Sequence, residues 1–500
     1  MDTGVRTPPL HHALDAVSGA VLLGMTVWAP WAFGGTVPWS RAVLYGAGGL
    51  LGVLLLGKQL VRLQHDFSPE RWWTPRPAGR WALRGLAVVQ LLLADFLLIG
   101  WLNPRATLRM GLSGVDLDYS ARTPTSWLPT TYDAPATLRT LLAVLALSLT
   151  FWAARDWLLG RSRRERHSSS PPSFPPARLR RLLWTLCASS AVLAVASIAQ
   201  RWEGSDRLLW MLRSLVPWQR HPAGPNTADQ IWGPFPVRAA GAAYFNLIWP
   251  VALGFWWTLR HEALRRSGAS HRIGDDASVM LLPATGLMIL CPFLSGGRSG
   301  ALVALGLMGA VLLVFAAGRW PEGRLRRGLG AAGLAVLLGV AAILAGTPVG
   351  TRFDARFADA VGNRADVQEI ARRMAADAGW LGTGAGSFGG LSALYRAGPE
   401  DRWLTYAHND WMEIRITLGL GGLALAGLMV VLLAVLRGST RGLRVPREFA
   451  ALLVLAIAGL LLQAAFEFPL QIPAVAFQFV LFAAVAATIG TGTGVHRPSG

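Results

Sequence analysis

The sequence predicts an all-α, polytopic integral membrane protein of about twelve transmembrane helices, with a large loop containing short amphipathic helices. Two observations lead to this fold class. Of the 500 residues, 53% are hydrophobic and only 15% are charged, which is too little charge for a soluble domain of this size. Uncharged apolar runs of about 20 residues recur along the whole chain, so residues 1–500 are predicted to form a single membrane domain.

The predicted membrane spans are the apolar runs that lie between basic or glycine- and proline-rich segments. They occupy residues 17–36, 42–57, 84–102, 136–154, 182–200, 239–258, 278–294, 300–317, 329–346, 414–436, 448–466 and 471–489. The second run is the weakest, because it is short and rich in glycine. The first run has no small-residue cleavage site behind it and is followed by another span, which predicts an uncleaved helix.

Basic residues are distributed unequally among the loops between these spans. Segments 58–80, 155–181, 259–277, 318–328 and 437–447 each carry four or more Lys or Arg, whereas 37–41, 295–299 and 467–470 carry one or none. The positive-inside rule then predicts that both termini are cytoplasmic and that the loops 103–135, 201–238 and 347–413 lie on the far side. The net charge of +19 therefore belongs to loops at a lipid bilayer, and no nucleic-acid partner is predicted.

The last of these far-side loops has its own predicted structure. We expect Asn363 to cap an amphipathic helix over about 364–378, which ends at Gly379. The glycine-rich run after it contains Gly384 and Gly386, where backbone amides can approach an anionic group. A formal G-x-G-x-x-G is present, but a dinucleotide site needs a preceding strand and a cytosolic cofactor, and neither is predicted here.

Residues 404–419 hold the densest collection of reactive side chains in the chain. Helical spacing predicts that Leu404, His408, Trp411 and Arg415 share one face, with Asn409 and Glu413 beside it. A histidine among such groups can have its tautomer fixed by a neighbour and act as a base. The alternative is an interfacial histidine that only terminates a helix, and this stretch alone does not separate the two interpretations.

Three arginines on the predicted far side are candidate site residues, and Arg298, in a tight hairpin, runs against the positive-inside trend. Arg238 precedes the sixth span, Arg298 lies in the five-residue hairpin 295–299, and Arg364 begins the predicted amphipathic helix. Two roles are open for them, snorkelling to lipid phosphate or binding an anionic ligand. The tight hairpin favours the second role for Arg298.

Two carboxylate features have more than one interpretation. Asp116 and Asp118 form a D-x-D that can chelate a divalent metal, although the flanking glycine and serine favour a solvated turn. Asp95 lies inside the third span, where we expect it to face protein or water, as a proton-relay residue or hydrogen-bonded to a neighbouring helix. The histidines show no metal-ligand spacing, so neither a metal site nor a cofactor is predicted.

These short motifs, taken in order, resemble those of the O-antigen ligase and O-antigen polymerase family of bacterial membrane glycosyltransferases. The resemblance covers about residues 230–470. It lies in Arg238 ahead of Gly241 and Asn246, Ser295–Gly300 with Arg298, Asn363–Arg364, Gly382–Phe388, Ala407–Asn409 with Glu413 and Gly419, and Glu467–Leu470. One departure is Tyr244–Ile248, where relatives tend to have a second asparagine.

The resemblance implies a protein of the bacterial inner (cytoplasmic) membrane with its active site on the periplasmic face. It implies transfer of a glycan from an undecaprenyl-diphosphate carrier to an acceptor hydroxyl on a growing glycan, on lipid A-core or on a protein. The implied site residues are His408 and Glu413 for catalysis, Arg238, Arg298 and Arg364 for the diphosphate, and Asn409, Gly384 and Gly386 in support. The alternative function is a secondary transporter or polysaccharide exporter, although no internal repeat is evident.

Cysteine accessibility tests the predicted topology. Cysteines substituted for Arg298 and His408 should react with a membrane-impermeant reagent from the far side, whereas one substituted for Glu165 should react only from the cytoplasm. Labelling of position 408 from the cytoplasm alone would contradict both the topology and a periplasmic site.

Overall fold

The computed structural model describes residues 8–68, 74–111, 114–120, 123–162, 165, 175–205, 207–210, 231–267, 277–318, 358–396 and 405–491. Its α-helices are α1 Pro9–Trp31, α2 Pro38–Gln64, α3 Pro77–Leu102, α4 Ala134–Leu159, α5 Ala177–Trp202, α6 Arg238–Ser267, α7 Leu281–Leu294, α8 Arg298–Gly318, α9 Ala358–Asp377, α10 Phe388–Leu391, α11 Asp410–Thr417, α12 Gly419–Ser439, α13 Arg447–Gln463 and α14 Pro473–Ala486. Single 3-10 turns lie at Phe33–Gly35, Leu208–Trp210, Ala277–Met280, Ser392–Tyr395 and Pro469–Gln471.

Short strands complete the described structure. They are β1 Thr74–Pro75, β2 Ala106–Gly111, β3 Gly114–Tyr119, β4 Thr440–Arg441, β5 Leu443–Val445 and β6 Ile489–Thr491. Strands β2 and β3 form an antiparallel hairpin in which Thr107 lies opposite Asp118. Because Asp116 and Asp118 are both in β3, the predicted turn at the D-x-D is wrong.

Within the described residues, eight helices are long and apolar enough to cross a membrane, namely α1 to α6, α8 and α12. The predicted runs 278–294 and 471–489 form shorter apolar helices, and 448–466 forms the 17-residue helix α13. The predicted span 329–346 lies outside the described residues. The chain is therefore a mostly helical, multi-pass membrane protein, in agreement with the predicted fold class.

Two predicted helix boundaries are wrong. The run 414–436 does not form one helix, because the chain breaks at Leu418 and Gly419 takes a φ of 69°, so that its backbone packs against the carbonyl oxygen of Trp380. Helix α9 begins at Ala358, so Asn363 lies inside the helix and does not cap it. The end of α9 is as predicted, since Gly379 follows it with a φ of 57°.

Helix α6 lies at the centre of the bundle and packs against α7, α8, α13 and α14. Large side chains such as Tyr244, Trp249 and Phe255 are fully buried along it. Tyr244 satisfies its hydroxyl through a 3.0 Å hydrogen bond with Ser190 Oγ of α5. This packing fixes the position of Arg238, which is the first residue of α6.

Ion pairs join four helices at the end of the bundle where α1 and α5 begin. Lys58 of α2 is fully buried, and its Nζ lies 2.9 Å from Asp156 of α4 and 3.4 Å from Asp15 of α1. Arg62 contacts Asp156 at 2.9 Å, and Arg178 of α5 contacts Asp15 at 2.6 Å. Removing one member of such a network leaves a buried charge uncompensated, so these pairs hold the four helix ends together.

Of the two surroundings expected for Asp95, protein or water, contact with a neighbouring helix is not observed among the described residues. Its side chain is exposed on the outer surface of α3. Within the part of the chain that the structure describes, it forms no ion pair with another helix.

Candidate functional site

His408 lies in the turn immediately before α11, with its backbone in the left-handed region at a φ of 51°. Helical spacing therefore does not apply to 404–409 as predicted, and Leu404 lies outside the described residues. A non-glycine residue in this conformation must be held by its neighbours. Asn409 caps α11 by accepting a 3.0 Å hydrogen bond from the amide of Met412. The predicted helix start beside His408 is thus confirmed.

Glu413 lies one turn inside α11 and holds the backbone on the other side of His408. Its Oε2 accepts a hydrogen bond from the Ala407 amide at 3.0 Å. Burial raises the pKa of the Glu413 carboxyl to about 7, although the Ala407 hydrogen bond acts in the opposite direction. Glu413 therefore positions the main chain of the turn, and a different acid contacts the imidazole.

That acid is Glu467, in the connection between α13 and α14. Its Oε2 lies 3.3 Å from His408 Nδ1, and its other oxygen accepts a 3.0 Å hydrogen bond from Ser299 Oγ at the start of α8. The Phe468 ring packs edge-on against the imidazole, with 4.9 Å between centroids. The sequence resemblance includes Glu467 without giving it a role. Its sequence signal is an acid in a short connection that lacks basic residues.

Asp410 fixes the connection that carries Glu467. The Asp410 amide donates to the carbonyl of Ala464 at 2.8 Å, and its Oδ2 accepts from the amide of Leu470 at 2.9 Å. The Asp410 side chain is buried, and this burial raises its pKa well above the ordinary range. Two hydrogen bonds from one residue thus clamp 464–470 to the first turn of α11, which sets the distance between Glu467 and His408.

Arginine side chains converge on the hairpin 295–299 at the same end of the bundle. Gly296 has a φ of 71°, and a Cβ built there would lie 3.5 Å from an Arg238 Nη and 3.9 Å from an Arg201 Nη. Arg298 follows in the hairpin with an exposed side chain. Arg201 was not predicted from the sequence, although its signal is the same as that of Arg238, an arginine in a far-side loop. The side chain of Arg364, in α9, lies outside the described residues.

A buried polar layer lies beneath this hairpin. The Asn246 side-chain amide donates to the carbonyl of Gly300 at 2.8 Å and to Gln463 Oε1 at 3.2 Å. Asn246 and Gln463 are both fully buried. These bonds tie α6, α8 and α13 together directly below the arginines.

The glycine-rich run packs closely against the start of α4. The Gly384 backbone lies against the Thr131 side chain, and a Cβ at Gly386 would be 2.7 Å from that of Ala136. The Gly384 amide donates to the carbonyl of Thr417 at 2.9 Å, so it is not directed at an anion. Close packing is therefore the observed role of Gly384, and anion binding by this run stays a prediction.

The amphipathic face of α9 is confirmed by its packing. Ile370, Ala371 and Met374 are buried together with Phe388 and Ile416. This second core holds segment 358–396 against α11, next to His408. Among the described residues, no group of three or more His, Cys, Asp or Glu side chains is arranged to hold a metal ion.

The fold and this site define a multi-pass helical membrane protein with a histidine–glutamate pair and an arginine-lined hairpin at one end of the bundle. Residues 283–427 match the protein family described as O-Antigen ligase, which confirms the family that the sequence motifs indicated. The matched segment includes Arg298 and His408 and leaves Arg201, Arg238 and Glu467 outside it. No curated protein matches the chain. Residues 283–427 are thus similar to the O-antigen ligase family and lie within a multi-pass helical membrane protein.

The pKa of Glu413 makes stability depend on pH. Because its folded pKa of about 7 lies above the unfolded value, stability should fall as pH rises to about 7 and level off above it. Glu413→Gln should remove this fall. At about pH 8 its free energy of unfolding should exceed that of the wild type by up to about 3 kcal/mol, and it should unfold at a higher temperature. Thermal unfolding of the detergent-solubilised protein between about pH 5 and 8 measures the effect.

Glu369→Gln is the matched control, since this carboxyl is exposed on α9. It should retain the wild-type fall in stability. A Glu413→Gln variant with the same pH dependence as the wild type would contradict the assigned burial effect.

Proposed function

We propose that this protein transfers a glycan from an undecaprenyl-diphosphate carrier to an acceptor hydroxyl at the periplasmic face of the bacterial inner membrane. Both termini are then cytoplasmic. The observation that supports this function most directly is the hydrogen-bonded series from Ser299 through Glu467 to His408. It connects a base with a hairpin surrounded by arginines, which are the two groups that this reaction needs.

His408 acts as the base toward the acceptor. Its Nδ1–H donates to Glu467, which leaves Nε2 as a proton acceptor. As the acceptor oxygen attacks the anomeric carbon, its proton passes to Nε2 and the Glu467 carboxylate stabilises the imidazolium that forms. Asp410 and Glu413 do not touch substrate and position the two sides of this pair.

The arginines act on the leaving group. The bond between the anomeric carbon and the phosphate oxygen breaks with its electron pair on the diphosphate, which gains negative charge and needs neutralisation more than a proton. Arg238, Arg298 and Arg201 supply this neutralisation through forked hydrogen bonds, so no step is assigned to a metal ion. Arg364 is a fourth candidate from α9. The reaction is a single displacement, without a covalent glycosyl intermediate.

Ser299 couples the two halves of the site. It is the residue after Arg298, and its hydroxyl donates to the same carboxylate that contacts His408. A diphosphate bound to the hairpin at Arg298 therefore also restrains Ser299 and, through it, the Glu467 carboxylate that contacts His408.

Substitution of the base pair tests the mechanism. His408→Gln should lower turnover by about 10²–10⁴-fold with donor binding nearly intact, because an amide can hydrogen-bond but cannot take the proton. Glu467→Gln should lower turnover by about tenfold to a hundredfold, because the ring loses its charged partner. The assay is transfer from a purified lipid-diphosphate glycan, after membrane insertion of each variant has been verified.

His65→Gln, an exposed histidine beyond the end of α2, is the control and should transfer at the wild-type rate. Wild-type turnover of His408→Gln would make His408 structural and place acceptor activation elsewhere.

Substitution of the arginines tests the donor site. Each of three substitutions should lower kcat/KM for the lipid-diphosphate donor, namely Arg238→Ala, Arg298→Ala and Arg201→Ala. The expected loss of transition-state stabilisation is about 2–4 kcal/mol for each. Arg298→Lys should restore only part of the loss, because an ammonium cannot make the forked contact. Arg207→Ala, an exposed arginine of the same loop as Arg201, is the control.

Full activity of all three alanine variants would leave these arginines as lipid anchors. EDTA should leave the rate unchanged. Inhibition by EDTA that Mg²⁺ or Mn²⁺ reverses would instead implicate Asp116 and Asp118.

A further inference from the structure

The exposed side of α3, a helix apolar enough to cross a membrane, carries one acidic residue. Its exposed apolar residues Val88, Leu91, Leu98 and Leu102 recur every three or four positions and form a single stripe along the helix. Asp95 is exposed within this stripe. It lies about 9 Å below Trp101 along the helix axis. An ionised carboxylate at such a position is costly in a bilayer and is normally paired.

The neighbouring helix carries the opposite charge at a similar distance from the connection between α3 and α4, where the Arg105 amide donates to the Thr131 carbonyl at 2.8 Å. Helix α4 packs directly against α3, and its outer stripe contains exposed Arg139 next to exposed Leu142. Arg139 lies about 9 Å beyond the N-cap Asp133 along the helix axis. No ion pair joins Asp95 to Arg139 or to any other residue that the structure describes.

We propose that two copies of this chain pack through the outer faces of α3 and α4, with Asp95 of each copy paired with Arg139 of the other. The surface is complementary to itself, because one copy presents both charges at a similar depth on adjacent helices. A two-fold axis between the copies then forms two identical ion pairs at once. A partner of another kind would have to bring both charges at the matching depth.

The two residues differ in what else could satisfy them. Arginine can extend its long side chain toward the lipid phosphates and remain solvated there. Aspartate is too short to leave the apolar layer, and lipid phosphates repel it. An ionised Asp95 therefore needs a cation at its own depth. On the surface formed by α3 and α4, Arg139 of a second copy provides that cation.

Charge reversal of full-length chains carrying two different affinity tags tests the proposal. Wild-type chains should co-purify from mild detergent, whereas Asp95→Arg with itself, or Arg139→Asp with itself, should co-purify about tenfold less because like charges meet in both pairs. A mixture of Asp95→Arg chains with Arg139→Asp chains should regain wild-type co-purification. In this mixed dimer one pair has its charges exchanged and the other is unchanged.

The mixture separates a pair between copies from a pair within one chain. An intrachain pair would give no selective recovery in the mixture, which would overturn the proposal. Wild-type chains that co-purify no better than an unrelated multi-pass protein would overturn it as well. Asp366→Arg, at an exposed acid of α9, is the control and should keep wild-type co-purification.

Disulfide cross-linking provides a second measurement that needs no charge change. Leu98→Cys, on the α3 stripe, should cross-link between copies in native membranes. Leu305→Cys, at an even more exposed position on α8, should not. If Leu98→Cys cross-links no more than Leu305→Cys, the α3–α4 face is not the interface, whatever the charge-reversed variants do.

Discussion

The candidate site is organised around the contact between Glu467 and His408, because three further residues hold the two partners of this contact in place. Ser299 holds one oxygen of the carboxylate, and Asp410 clamps the connection in which Glu467 lies. Glu413 fixes the backbone of the turn that presents the imidazole. His408 is thus supported from α8, α11 and the α13–α14 connection. A shift of any one of these elements relative to the others would alter the distance between carboxylate and ring.

Polar groups inside an apolar bundle are costly unless they are paired, and near the site they are paired mainly through hydrogen bonds. Near the site the buried polar groups include Asn246, Gln463 and the acids Asp410, Glu413 and Glu467. Asp410 and Glu413 accept hydrogen bonds from backbone amides, and these bonds fix short connections and the start of α11 without a second charge. The guanidinium groups of Arg201 and Arg238 lie beside Gly296 at the same end of the bundle.

The sequence was sufficient wherever the determining forces are local. Apolar runs predicted the helices. The end of α9 followed from the left-handed backbone conformation that Gly379 can adopt, and the start of α11 followed from the capping residue Asn409. The pairing of Glu467 with His408 could not be read in this way, because it depends on the packing of α11 against the α13–α14 connection. The same reason applies to Arg201, whose proximity to the hairpin is visible only once the end of α5 lies beside Gly296. Local spacing also failed at His408 itself, where tertiary contacts impose a conformation that no helical pattern contains.

The opposite ends of the bundle differ in a way that bears on function. A secondary transporter must open its site to both faces in turn, which requires the helices to separate at either end. At the Lys58 end, Lys58 pairs with Asp15 and Asp156, and Arg178 pairs with Asp15, so that α1, α2, α4 and α5 are joined. Opening this end would require each pair to break while its charges are still buried. The reactive groups lie at the other end, where the connections are short and the arginines are within reach of an incoming anion. A bundle closed by charge at one end and reactive at the other is suited to chemistry at a single face, which favours group transfer over transport.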